Sequence, residues 1–112
     1  MAERGVAGEY AGTLMAVAGR EKMRKILGEA RFFSEVLDAV PDLQKLFSNP
    51  AVSTEAKERM VAAVAEKAGF EKGFADFVKL VVSKRRMAIW REIVEAISAL
   101  ADESEGVVRG KV

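Results

Sequence analysis

The stretch Leu46-Phe47-Ser48-Asn49-Pro50-Ala51-Val52-Ser53 packs a helix end, a turn and a helix start into a few residues. Pro50 crowds the backbone of Asn49 and disfavours helical dihedrals there, so the helix carrying Leu43, Leu46 and Phe47 must stop near Ser48. Ser53 is placed to cap the next helix, because its hydroxyl can accept from a free backbone N–H of the first turn. Glu55 in that turn suits the positive end of the helix dipole. Two helices joined this tightly set the expectation for the rest of the chain.

Outward from this joint, helical spacing dominates. A first helix is expected over residues 6–18, with Val6, Tyr10, Leu14 and Val17 on one side and Gly19 as its stop. A second covers 21–39, with Met23, Ile26, Leu27, Ala30, Phe33, Leu37 and Val40 as the apolar stripe. Pro41 suits the first turn of a short third helix, 42–48. The fourth spans 54–68, with Ala56, Met60, Ala63 and Val64 inward, and ends at Gly69. The fifth runs over 71–83 on Phe70, Phe74, Phe77, Val78, Val81 and Val82. The sixth runs over 87–102 on Trp90, Ile93, Val94, Ile97 and Leu100. Short loops favour antiparallel neighbours. The expected fold is all-α, a compact six-helix bundle over residues 1–105. Residues 106–112 break the helical period and alternate, which predicts a short extended tail.

Composition narrows the chemistry. The chain has 112 residues, half of them apolar, which suits one soluble domain with its own core. Its net charge of +1 sets up no general field toward nucleic acid or anionic lipid. There is no cysteine, which removes disulfides and thiol chemistry, and no histidine, which removes the commonest general base and metal ligand. The longest apolar run, 60–65, is far short of the roughly 20 residues that span a membrane. The N-terminus carries Glu3 and Glu9 and lacks the apolar core of a signal peptide, so a soluble, cytosol-facing chain is expected.

Two charged groups invite a functional reading. Lys84-Arg85-Arg86 fits a phosphate contact, and equally a solvated helix end where cations suit the negative dipole. As a site it would make the chain a small helical nucleic-acid-binding module. Such a site wants basic residues spread over a face. Glu92, Glu95, Asp102, Glu103 and Glu105 fall on the polar side of the last helix and its end, not in a sheltered pocket. No catalytic residue, metal site or cofactor is expected.

Three blocks carry a family resemblance: Tyr10-Ala11 with Leu14; the joint 46–53 with Lys57; and Phe77-Val78-Lys79-Leu80-Val81-Val82 running into Lys84-Arg85-Arg86-Met87 and Ile93. In this order and spacing they resemble the N-terminal domain of the delta subunit of F-type ATP synthases, whose mitochondrial relative is the oligomycin sensitivity-conferring protein. The family often has glycine near Arg85, so the backbone there is expected to differ.

The resemblance implies a non-catalytic stator module of a proton-translocating ATP synthase, peripheral on the cytoplasmic face of the bacterial inner membrane. Such a domain tethers the catalytic head against torque. It receives the N-terminal amphipathic helix of an alpha subunit in a groove between the first and fifth helices. The family's C-terminal half engages the stalk b subunits. Residues 106–112 would start the connection to that further domain, which this chain does not include. Neither nucleic acid nor direct membrane insertion is implied.

The residues carried over to the groove are Tyr10, Thr13, Leu14, Phe77 and Leu80. The first helix has more apolar positions than one inward stripe needs, and Leu80 lies off the Phe74–Phe77–Val81 line. A bundle that simply surrounds both helices explains this as well, and Tyr10, Leu14 and Phe77 also fit as core. Thr13 and Leu80 would then face the partner alone. A free groove is exposed apolar surface, so weak self-association is expected in isolation.

Overall fold

In the computed structural model, which describes the backbone of residues 2–110 and the side chains of residues 5–103, the joint at 46–53 forms as the sequence requires. Asn49 is extended, at φ −82° and ψ 114°. Its side-chain oxygen accepts from the Ala51 N–H at 2.9 Å, closing the turn locally. Ser53 Oγ accepts from the Ala56 N–H at 3.1 Å and caps the following helix.

Among the described residues there are six α-helices and no strand. They are α1 (Ala2–Ala18), α2 (Met23–Ala39), α3 (Pro41–Ser48), α4 (Thr54–Ala68), α5 (Lys72–Ser83) and α6 (Trp90–Gly110). Single 3₁₀ turns, Arg20–Lys22 and Met87–Ile89, lead into α2 and α6. Both α1 and α2 lie along α6; α1 also touches α5, α3 packs on α2, and α4 packs on α5. The core centres on aromatic rings from four helices. Phe33 of α2 stands edge-on to Trp90 of α6 at 5.4 Å and tilts against Phe47 of α3 at 6.2 Å. Phe74 of α5 lies 6.2 Å from Trp90. Burying each such ring is worth roughly 1.5–3 kcal/mol.

The stripes of α2 and α5 are buried as their spacing predicts, from Met23 to Leu37 and from Phe74 to Val82, with Phe70 half-buried at the start of α5. Four expectations need correction. Val17 is 73% exposed, because α1 turns Ala7, Ala11 and Leu14 inward instead. Those alanines add little bulk where α1 lies against α6. Val40 is 45% exposed, since it lies outside both helices at φ −126° as the link between α2 and Pro41. In α4 the buried strip is Lys57, Val61 and Ala65. Ala63 is exposed, while Ala56, Met60 and Val64 are half-buried, about one residue out of register. An alanine-rich helix resting mainly on one neighbour offers several possible strips, and the neighbour chooses. Lys57 reaches 4% exposure because its aliphatic stem packs like a hydrophobe. Finally, residues 106–110 continue α6 as helix in place of the expected extended tail. Short alternation between two glycines is a weak strand signal without a partner strand. Residues 111 and 112 lie outside the described residues.

Two left-handed residues end helices. Gly69, at φ 73°, stops α4, with the Phe70 N–H donating to the Ala65 carbonyl at 3.0 Å. Arg85, at φ 58°, stops α5 in a Schellman pattern: Arg85 N–H donates to Val82 O and Arg86 N–H to Val81 O, each at 3.0 Å. A side chain in this conformation costs about 1–2 kcal/mol, which glycine avoids.

Candidate functional site

Helices α1 and α5 run antiparallel. Near one end, a Cβ built on Gly73 would sit 4.0 Å from the Ala18 Cβ, so the backbones approach closely. Toward the other end, the Tyr10 ring stands edge-on to Phe77, centroids 6.3 Å apart. The five residues carried over from the family resemblance separate by depth. Leu14 and Phe77 belong to the core, at 2% and 5% exposure. Tyr10 is half-buried at the boundary, and Thr13 is exposed. Leu80, 37% exposed, stands on the outer side of α5.

The outer row of α1 contains Val6, Tyr10 and Val17, which the sequence reading groups with buried Leu14. Val6, Tyr10, Thr13 and Val17 follow one another at intervals of four, three and four, which puts them on one helix face. Val6 is half-buried and Val17 is open to solvent. The period was legible in the sequence. What was not legible was that this row points outward while the Ala7–Ala11–Leu14 row packs inside. Leu80 is likewise exposed on α5, and the inner sides of both helices are filled by core residues. Asp76 of α5 is taken up by Lys72 at 3.1 Å.

Elsewhere the polar groups serve the fold. A cleft of about 430 Å³ lies between α2, α3 and the start of α6, floored by Leu37, Phe47 and Trp90. Three of its polar side chains are partnered internally: Trp90 Nε1 donates to Ser34 Oγ at 2.9 Å, Ser34 Oγ to Ala30 O at 3.1 Å, and Gln44 Nε2 to Leu37 O at 3.2 Å. Lys84, Arg85 and Arg86 are all exposed at the α5 C-terminus, where cations suit the helix dipole. Of the acidic residues on α6, Asp102 pairs with Arg24 at 3.1 Å, Glu92 is half-buried, and Glu95 and Glu103 are exposed. The Glu105 side chain lies outside the described residues. Among the described residues no three acidic side chains gather as a metal site, and no helix is long and apolar enough to cross a membrane.

A second polar feature lies beside the close approach of α1 and α5. The Glu71 carboxylate accepts from Lys22 Nζ at 3.2 Å and Lys25 Nζ at 3.1 Å. Hydrogen bonds from Lys25, then Lys22, hold the Glu71 carboxyl below its ordinary value. The Lys25 ammonium is raised in turn, chiefly by its bond to Glu29 and then by Glu71. Sequence reading gave no sign of this cluster, whose members come from three separate segments.

A sequence model described as the ATP synthase delta (OSCP) subunit matches residues 6–112. The chain is 34% identical over 110 residues to an ATP synthase subunit delta from Solidesulfovibrio magneticus, covering 96% of this chain and 60% of that protein. Against the subunit delta of Methylobacterium radiotolerans it is 34% identical over 109 residues, covering 96% and 57%. Against that of Geotalea uraniireducens it is 32% identical over 110 residues, covering 97% and 61%. The chain therefore spans about three-fifths of the length of these relatives. No solved structure gives a significant match. A match over residues 6–112, on a bundle whose helices carry all three blocks of the resemblance, assigns this chain to the ATP synthase delta (OSCP) subunit family.

Proposed function

We propose that this chain is a non-catalytic stator module of a proton-translocating F-type ATP synthase, and that it grips the catalytic head by receiving the N-terminal helix of an alpha subunit on the face shared by α1 and α5. One observation carries the reading. Val6, Tyr10, Thr13 and Val17 on α1 and Leu80 on α5 remain at the surface after both helices have filled the core. An amphipathic helix is the ligand whose own apolar stripe suits such a face. Thr13 and Leu80 make the direct contacts, Tyr10 lines the edge, and Leu14 and Phe77 support it from below.

The task is mechanical. A rotor turns inside the head, so the head must be held against torque. This domain takes that load at the alpha helix, and a following domain passes it to the stalk b subunits, with residues 106–112 opening the connection. The module works on the cytoplasmic face of the inner membrane without entering it.

The test is a titration of the chain with a peptide copying an alpha-subunit N-terminal helix. Leu80→Asp is expected to weaken binding by about 2 kcal/mol or more, as a central apolar contact should. Its unfolding midpoint should barely move, because Leu80 is a surface residue. Unchanged affinity in the folded variant removes Leu80 from the site. Absence of binding by the unaltered chain at about 100 μM peptide, a Kd too weak for a tether, overturns the reading.

A further inference from the structure

Helix α5 begins with a missing cap. Its N-cap is Glu71, whose own side chain makes no capping hydrogen bond. In a capping box the third helical residue reaches back, as Glu or Gln, to the backbone N–H of the N-cap. Here that position is Phe74, which is fully buried and has no acceptor. The acceptor arrives from another helix instead. Glu29 of α2, its side chain 11% exposed, accepts from the Glu71 N–H with both carboxylate oxygens, at 3.0 and 3.2 Å.

The same carboxylate is itself held. Lys25, one turn earlier on α2, donates to it at 2.7 Å and bridges to the Glu71 carboxylate. Lys22, in the turn that follows α1, grips Glu71 from the other side. Three segments thus meet at the N-cap of α5: the exit of α1, the body of α2 and the start of α5 itself. Two residues further on, Gly73 makes the close approach to Ala18.

We propose that Glu29 is a positioning residue for the α1–α5 face: it fixes where α5 starts and how it lies against α1, so partner affinity depends on a side chain that the partner does not touch. The inference rests on the reading of that face as the docking site. Its physical basis is leverage. The start of α5 has no cap of its own, so without Glu29 its first turn frays and the angle at which α5 meets α1 beside Gly73 and Ala18 is no longer fixed.

The experiment uses the 112-residue chain and the alpha-subunit helix peptide, with Glu29→Ala and Glu29→Gln. The glutamine keeps an oxygen that can accept from the Glu71 N–H but removes the charge. Amide exchange of Gly73, Phe74 and Ala75 is expected to rise about tenfold in Glu29→Ala while Ile93 and Ile97 in α6 hold their rates, since a lost cap opens one helix end locally. Peptide affinity should fall about five- to tenfold in Glu29→Ala, and Glu29→Gln should recover most of it. If Glu29→Ala does not fold, Glu29→Asp, one methylene short of the Glu71 N–H, takes its place with the same expectation. Unchanged exchange at the start of α5 overturns the proposal. So does a rise spread evenly over the bundle, or a Glu29→Gln variant as impaired as the alanine. If the unaltered chain binds no peptide, the docking reading fails, and the exchange measurement still decides whether Glu29 fixes α5.

Discussion

At its start α5 is held by polar groups from two other elements; at its end it is held by packing alone and carries Leu80 into solvent. The first end has Glu29, Lys25 and Lys22 around Glu71, with Gly73 against Ala18. The second has Val81 and Val82 buried beneath, Leu80 exposed, and a turn through Arg85 in a left-handed conformation. The difference separates holding from binding. A polar latch is directional and fixes an angle, whereas an apolar face is non-directional and adapts to what covers it. This helix keeps the two kinds of contact at opposite ends.

Substitutions can break or sharpen that contrast. The largest effect is expected from Phe74→Ala, which removes the ring that both ends rest on. Phe74 has no exposure and contacts Phe70, Phe77 and Trp90. Unfolding in denaturant should show a loss of about 3–5 kcal/mol. A loss under about 1 kcal/mol would mean that the two ends do not share one core.

A smaller effect is expected at the packed end. Arg85→Gly relieves a left-handed side chain at the cost of some unfolded-state entropy, for a net gain of about 0.5–1 kcal/mol in the same measurement. Peptide affinity should not change. A destabilised glycine variant would show that the Arg85 side chain itself supports the turn.

The smallest effect belongs to the latched end, because its ion pairs are solvated and screened by salt. The folded Glu71 carboxyl lies below its ordinary value of 4.5, so its stabilisation is present above that pH and is lost as pH falls through the lowered value. Lys25 lies above its ordinary 10.5, so its part is complete below that pH and is lost as pH rises through the raised value. Glu71→Gln should therefore be less stable than the unaltered chain near neutral pH, and the gap should close as pH drops below 4.5. A gap that persists in acid would place the effect outside the ion pairs.

Much of this molecule was legible residue by residue. Ser53 and Gly69 bound α4 through a cap and a left-handed stop, both set by a few neighbouring residues. The dense stripes of α2 and α5 left one possible inward face. Legibility failed where apolar residues were small or numerous enough to allow two faces. In α1, Val17 reads as part of an inward stripe until α6 takes the alanine side. In α4, Ala63 reads as inward but is exposed, and Lys57, Val61 and Ala65 form the buried strip because α5 selects it. At the candidate site the sequence supplied Thr13 and Leu80, and the family resemblance gave them a role. The sequence left Leu14 and Phe77 open between groove and core, and packing put both in the core.

The sequence by itself determined the six helices, the ends set by local caps and turns, and the family, because such signals act over a few residues. The tertiary structure alone decided which faces stayed outside and that Glu29 meets Glu71. Those residues lie 42 positions apart, and no local pattern encodes a hydrogen bond that exists only when two separate helices have already docked.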